Sequence, residues 1–124
     1  MEQKQKIPRK ERISRISMLM KALKDIPETQ RQQIADNLGI VNVEGRTLSP
    51  SNQILISLQL EKFSVVGGFK QWLKAGRCVR KGEHGALIFF PVGNKDENGD
   101  VTEAEKFFVG VVFDVSQTEE ISQN

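Results

Sequence analysis

The sequence predicts an α+β fold in which N-terminal helices pack on a small antiparallel sheet of about three strands. Two observations carry this. Apolar residues recur at three- and four-residue intervals up to about residue 75, then give way to short, nearly continuous apolar runs. The helical and strand-like segments are also segregated along the chain rather than alternating, which argues against a parallel α/β sheet. With 124 residues, the chain suits a single domain, residues 1–124.

The first helix is expected from Lys10 to Leu23, where Ile13, Ile16, Met20 and Leu23 form a stripe widened by Met18 and Leu19. Pro27 suits the first turn of a second helix, Glu28 complements its positive end, and Ile34, Ala35 and Leu38 form a face that Gly39 closes. The stretch 40–50 reads as a connector, with Gly45 at a turn. Ser49 and Pro50 then stand as N-cap and first residue of a third helix reaching about Lys62. Within it Ile54, Leu55 and Leu58 face inward, while Ser51, Asn52 and Gln59 either face a partner or cap and solvate the helix.

After the Gly67-Gly68 break, FKQWLKAG predicts a short fourth helix ended by Gly76. Cys78–Arg80 and Ala86–Val92 read as two strands paired as a hairpin across a KGEHG turn, with Pro91 at an edge or ladder end. A polar loop at 93–100 leads to a third strand, Lys106–Val115, apolar on both faces over most of its length. The remaining SQTEEISQN is polar and expected to fray.

One cysteine excludes an internal disulfide and, with one histidine, cannot supply a four-ligand zinc site, which points to a reducing cytoplasm and to no metal or other cofactor. The basic start MEQKQKIPRK is followed by no apolar run of signal-peptide length, and no 18-residue apolar run occurs, so neither export by that route nor a membrane partner is expected.

The formal net charge of +2 conceals segregation. Residues 1–24 hold eight basic and two acidic residues, and 61–85 hold six and two; 25–60 hold two and four, and 86–124 hold two and eight. Two basic blocks beside an acidic one generate a field able to draw a polyanion to one region. For residues 1–24 the alternative is an amphipathic helix with a solvated basic face.

Catalytic signatures are missing. His84 is followed by Gly85 with no second histidine, so H-E-x-x-H chemistry is excluded, and neither phosphate-loop glycine spacing is present. Cys78 and His84 share one segment, but no third orienting group accompanies them. The chain is read as a non-enzyme.

The segment Gly76–Gly85 is the most informative. Arg77, Arg80 and Lys81 place three cations around Gly82, which with Gly85 lets backbone approach a ligand closely. Arginine supplies a fork for phosphate and a face for bases, and lysine a point charge. Trp72 and Phe69, beside Lys70 and Lys74, offer a stacking platform, although helical spacing alone favours Trp72 as the core anchor of a short helix. The alternative for the whole segment is an ordinary solvated turn.

FKQWLKAGRCVRKGEHGALIFFPV resembles the N-terminal single-stranded-DNA-binding domain of ArdC-type antirestriction proteins: a helix with Phe-x-Gln, a glycine, V-R-K-G-E-x-G, then an apolar strand. The helix around Asn52 and the segment VVFDVSQTE are similar as well, so the likeness covers about residues 45–120 and implies a family-like core there, between a helical N-terminal extension (1–44) and a flexible tail (121–124). The resemblance highlights Phe69, Gln71, Val79, Arg80, Lys81, Gly82, Glu83, Gly85, Phe113 and Gln117. It implies a single-stranded-DNA-binding module from plasmids, phages or other mobile elements, which often precedes a zinc-metalloprotease domain not found in this sequence. The family usually carries a tryptophan ahead of the Phe-x-Gln helix, where this chain has Val65–Gly68 and instead places Trp72 inside the helix.

The expected DNA-binding residues are Lys70, Gln71, Trp72, Lys74, Arg77, Arg80, Lys81, Gly82, His84 and Gln117. The partner is single-stranded DNA with little sequence preference, RNA being the alternative nucleic acid, and Gln71 and Gln117 would bond sugars or bases. A competing reading is a protein-interaction or antirestriction module acting on a nuclease or regulator, drawing on Asp96, Glu97, Asp100, Glu103 and Glu105. A third, a duplex binder using Arg9, Arg12 and Arg15 in the major groove, conflicts with that helix's need to pack.

Overall fold

A computed structural model describes residues 8–92 and 106–121. The elements run α1 (Arg9–Lys24), α2 (Glu28–Leu38), β1 (Val41–Asn42), α3 (Pro50–Gln59), β2 (Val65–Gly67), α4 (Phe69–Lys74), β3 (Arg77–Val79), β4 (Ala86–Val92), β5 (Lys106–Asp114), a 3-10 turn (Val115–Gln117) and β6 (Thr118–Glu120). The α+β class holds. The strands, however, form two sheets: a four-stranded one in the order β1-β2-β5-β4, with a parallel β1–β2 pair, and a two-stranded β3–β6 pair. The expected loop 93–100 and the acidic residues Asp96 to Glu105 lie outside the described residues.

The helices start and stop where local chemistry directs. Gly39 closes α2 at φ 63°, and the Ser49 hydroxyl accepts the Asn52 N–H at 3.3 Å to open α3 ahead of Pro50. Arg31 of α2 reaches back to the end of α1, donating to the Leu23 and Ile26 carbonyls at 2.9 and 3.2 Å. A cation there satisfies orphan carbonyls and complements the helix dipole. No α1 residue is fully buried; α1 packs through its half-buried stripe, against α3.

Antiparallel register sets Ala86 against Val112, Leu87 against Val111 and Ile88 against Gly110. Alternation therefore puts Ala86, Ile88 and Val112 on one face, where they join Ile40, Ile56 and Val66 in the core, with Leu38, Leu48, Leu60 and Phe63 packed around them. Burying each large aliphatic side chain there contributes about 1.5–3 kcal/mol. The opposite face is covered unevenly. Leu87 and Phe89 on β4 are buried, whereas Val109 and Val111 on β5 are 37% and 44% exposed.

The polar residues of α3 act as structural parts. Asn52 accepts the Phe89 N–H at 3.0 Å and donates to the Phe89 carbonyl at 3.1 Å, and Gln59 does the same for Leu87, both at 2.8 Å. Residues seven apart lie on one helix face, so two amides stand where a further strand would pair and cover the outer edge of β4. Buried Gln53 accepts the Ile40 N–H and donates to the Leu48 carbonyl, fastening the connector to α3.

Two sequence expectations are corrected. Residues 77–79 pair with 118–120 (Arg77 with Glu120, Val79 with Thr118) rather than with 86–92, whose partner is β5. Ser116–Glu120 do not fray, because Asp114 accepts the Ser116 N–H and Gln117 accepts the Asp114 N–H, a reciprocal cap that turns the chain into β6.

Candidate nucleic-acid interface

The candidate site is built on α4, the β3–β6 pair and the turn 80–85. α4 opens at Gly68, whose N–H donates to the Gln71 side-chain oxygen at 2.9 Å. Trp72 lies against Gly67, where a Cβ would come 3.3 Å from its indole nitrogen; the ring is 3% exposed and its N–H donates to the Phe113 carbonyl at 2.9 Å. Trp72 thereby pins α4 to the β2–β5 end of the sheet and offers no exposed stacking face. Gly76 then takes φ 84° to leave the helix.

Arg77 donates through Nε to the Thr118 hydroxyl at 2.7 Å and through Nη2 to the Thr118 carbonyl at 3.2 Å. Arg80 donates to the Thr118 and Ser116 carbonyls and pairs with Glu83 at 3.2 Å. Gln117 donates to the Glu83 carboxylate at 3.2 Å and to the His84 carbonyl at 2.7 Å. The Arg80 N–H itself donates to the Gln117 carbonyl. The turn is therefore stitched from both sides to the segment 115–118, with Gly82 at φ 89° making the reversal. At Gly85 a Cβ would lie 2.5 Å from the Val112 carbonyl oxygen and 2.6 Å from a Val111 methyl, so only glycine lets the turn settle onto β5.

This geometry divides the predicted residues into two groups. Gln71, Trp72, Arg77, Arg80 and Gln117 spend polar atoms on the protein's own backbone, and Trp72 is buried rather than set out as a stacking platform. Lys70, Lys74, Lys81 and His84 are exposed, with Gly82 at the apex, and among the described residues these side chains have no hydrogen bond or ion pair. Lys70 and Lys74 stand on α4 and Lys81 on the turn, so flexible cations occupy two elements that a buried tryptophan and an arginine–glutamine network hold rigid. Sequence reasoning missed Thr118 and the carbonyls of 116 and 118 as the targets of both arginines; no local pattern announces a bond between positions so far apart.

The sequence model for the N-terminal domain of anti-restriction factor ArdC matches residues 9–116. The chain belongs to this family. Two solved structures of the antirestriction ArdC protein from plasmid R388 share its fold. The metal-free form has 18% identity and a TM-score of 0.51, covering 72% of this chain and 35% of that one. The Mn(II)-bound form has 16% identity and a TM-score of 0.53, covering 77% and 40%. This chain thus spans well under half the length of those ArdC chains. No curated protein matches it by sequence.

The ArdC N-terminal match starts at α1 and runs through β5, so it takes in the two helices that precede the part of the chain where the likeness is visible by eye. Manganese belongs to the R388 protein. Among the described residues here, no group of three or more His, Cys, Asp or Glu could hold a metal ion. No helix among them is long and apolar enough to cross a membrane.

Proposed function

We propose that this ArdC N-terminal domain is a non-enzymatic module that binds single-stranded DNA with little sequence specificity, in the cytoplasm and in the setting of a mobile element. The observation that carries the reading is the trio Lys70, Lys74 and Lys81, exposed and, among the described residues, without an ion pair, on a frame held by Trp72 and the arginine–glutamine network. Lysines of this kind neutralise phosphates by charge and carry no base-reading geometry, which suits sequence-tolerant binding. The arginines contribute by fixing the turn, and Arg80, still partly exposed, adds positive potential.

The competing protein-interaction reading rests on the acidic run from Asp96 to Glu105, outside the described residues, and no structural observation favours it. The duplex reading gains nothing either, since α1 packs its half-buried stripe against α3 and sets exposed Ile13 and Met18, which read no base edge, beside its arginines.

The test is fluorescence anisotropy of labelled single-stranded DNA, single-stranded RNA and duplex oligonucleotides across a salt series. Binding to mixed and homopolymer single strands alike, stronger than to duplex and weakening with salt, is expected. Equal or tighter binding to duplex, or no binding at low salt, would overturn the proposal and direct attention to a protein partner.

A further inference from the structure

We infer that the open strip of β5, Val109 and Val111, is the floor against which the bases of the bound strand lie, with cations holding phosphates along its two sides. The inference rests on the single-stranded-DNA reading and specifies which surface of the molecule meets the bases.

Strand alternation places Val109, Val111 and Phe113 on one face of β5, the face turned away from the Ile56–Val112 core. β5 lies between β2 and β4. On the β4 side the turn 80–85 descends onto this strip: Gly85 sits so close that a Cβ would touch both a Val111 methyl and the Phe113 ring. That turn carries Lys81 and His84. On the β2 side Gly68 lies beside the Val111 carbonyl, and α4 begins immediately after it with Phe69 and Lys70. The strip is thus an exposed apolar surface bordered on both sides by elements whose lysines, among the described residues, have no ion pair.

That combination selects its occupant. Two solvent-facing valines on a central strand are a poor surface to leave wet, yet a purely apolar protein partner would have to desolvate the flanking lysines. A single strand satisfies both, with base faces on the valines and phosphates on the lysines. Valine has no donor or acceptor for base edges, so the contact tolerates every base. A duplex keeps its base faces stacked inside and gains nothing from the floor.

The test compares the full chain with the V109T/V111T variant, which keeps β-branched shape at exposed positions while adding polar atoms. Each is titrated with an oligo(dT) of about 15 nucleotides, within the span of known single-strand sites, and with a strand of the same length made of abasic nucleotides. Wild type is expected to bind oligo(dT) at least about threefold more tightly than the abasic strand, because bases covering two part-exposed valines remove apolar surface from water. The variant should lose threefold or more on oligo(dT), little on the abasic strand, and keep the same salt slope. Equal wild-type affinity for the two strands, or a variant unchanged on oligo(dT), would overturn the floor while leaving phosphate-driven binding in place. Absence of salt-sensitive binding to either strand would instead overturn the functional reading together with this inference. The wild-type comparison with the abasic strand stands even if the variant folds poorly.

Discussion

Replacing Lys70, Lys74 and Lys81 together with glutamine separates charge from scaffold. All three side chains are exposed and, among the described residues, have no ion pair, so the K70Q/K74Q/K81Q variant should unfold within about 0.5 kcal/mol of wild type, as surface substitutions away from special features do. Binding should change much more. Each phosphate neutralised on a single strand contributes about 0.7 to the slope of log K against log salt, so losing three contacts lowers the slope by about 2. Between 1 M and 0.1 M salt that difference accumulates to roughly a hundredfold, so the variant should approach wild type near 1 M and fall about a hundredfold behind at 0.1 M. Anisotropy titrations of a labelled single strand at five or six salt concentrations measure both quantities. A variant that keeps the wild-type slope would show that these lysines do not meet phosphate, and the proposed interface would be wrong.

Arg80→Lys keeps the charge but loses the fork that holds the Ser116 and Thr118 carbonyls; it should cost about 1–2 kcal/mol in urea unfolding and leave the salt slope nearly intact. Trp72→Phe removes the bond to the Phe113 carbonyl and some core volume, costing about 1–3 kcal/mol, and single-stranded DNA should barely quench Trp72 emission in the wild type because the ring is buried. Asn52→Ala removes both side-chain bonds to the Phe89 backbone at a buried edge and should cost about 2–4 kcal/mol by denaturant unfolding; a loss below 0.5 kcal/mol, the ordinary scatter of surface changes, would refute the edge-covering role.

What the sequence makes legible follows the range of the interactions involved. Gly39, Ser49 and Pro50 mark helix ends because a cap is satisfied within a few residues, and all three sit where their chemistry predicts. The pairing of 77–79 with 118–120 is not legible. Both segments are short, and an apolar neighbour at 86–92 is the obvious local partner until β5 claims it. The amides were the hardest to interpret. Gln71 and Gln117 have the same donors and acceptors whether they cap backbone or await a ligand, and only their neighbours decide. Helical spacing favours Trp72 as an anchor over a platform, and the structure agrees: the indole sits close to Gly67, where no Cβ stands in its way, and is buried.

The same neighbours explain why arginine and lysine are not interchangeable across this surface. The Ser116 and Thr118 carbonyls are fixed points at the end of a 3-10 turn, and a rigid planar fork loses little entropy in meeting them. Phosphates of an unstructured strand are not fixed; they arrive at varied spacings, and a long flexible ammonium follows them without demanding one geometry. Glu83 fits this division. Its carboxylate would repel a polyanion if left alone, but it accepts from Arg80 and Gln117, so its charge is spent inside the turn while Lys81 next to Gly82 stays available. Exchanging the roles, with Arg80→Lys and Lys81→Arg in one chain, conserves net charge and composition. Because the function proposed needs a fixed frame and mobile contacts, the exchange should weaken the turn without strengthening the grip.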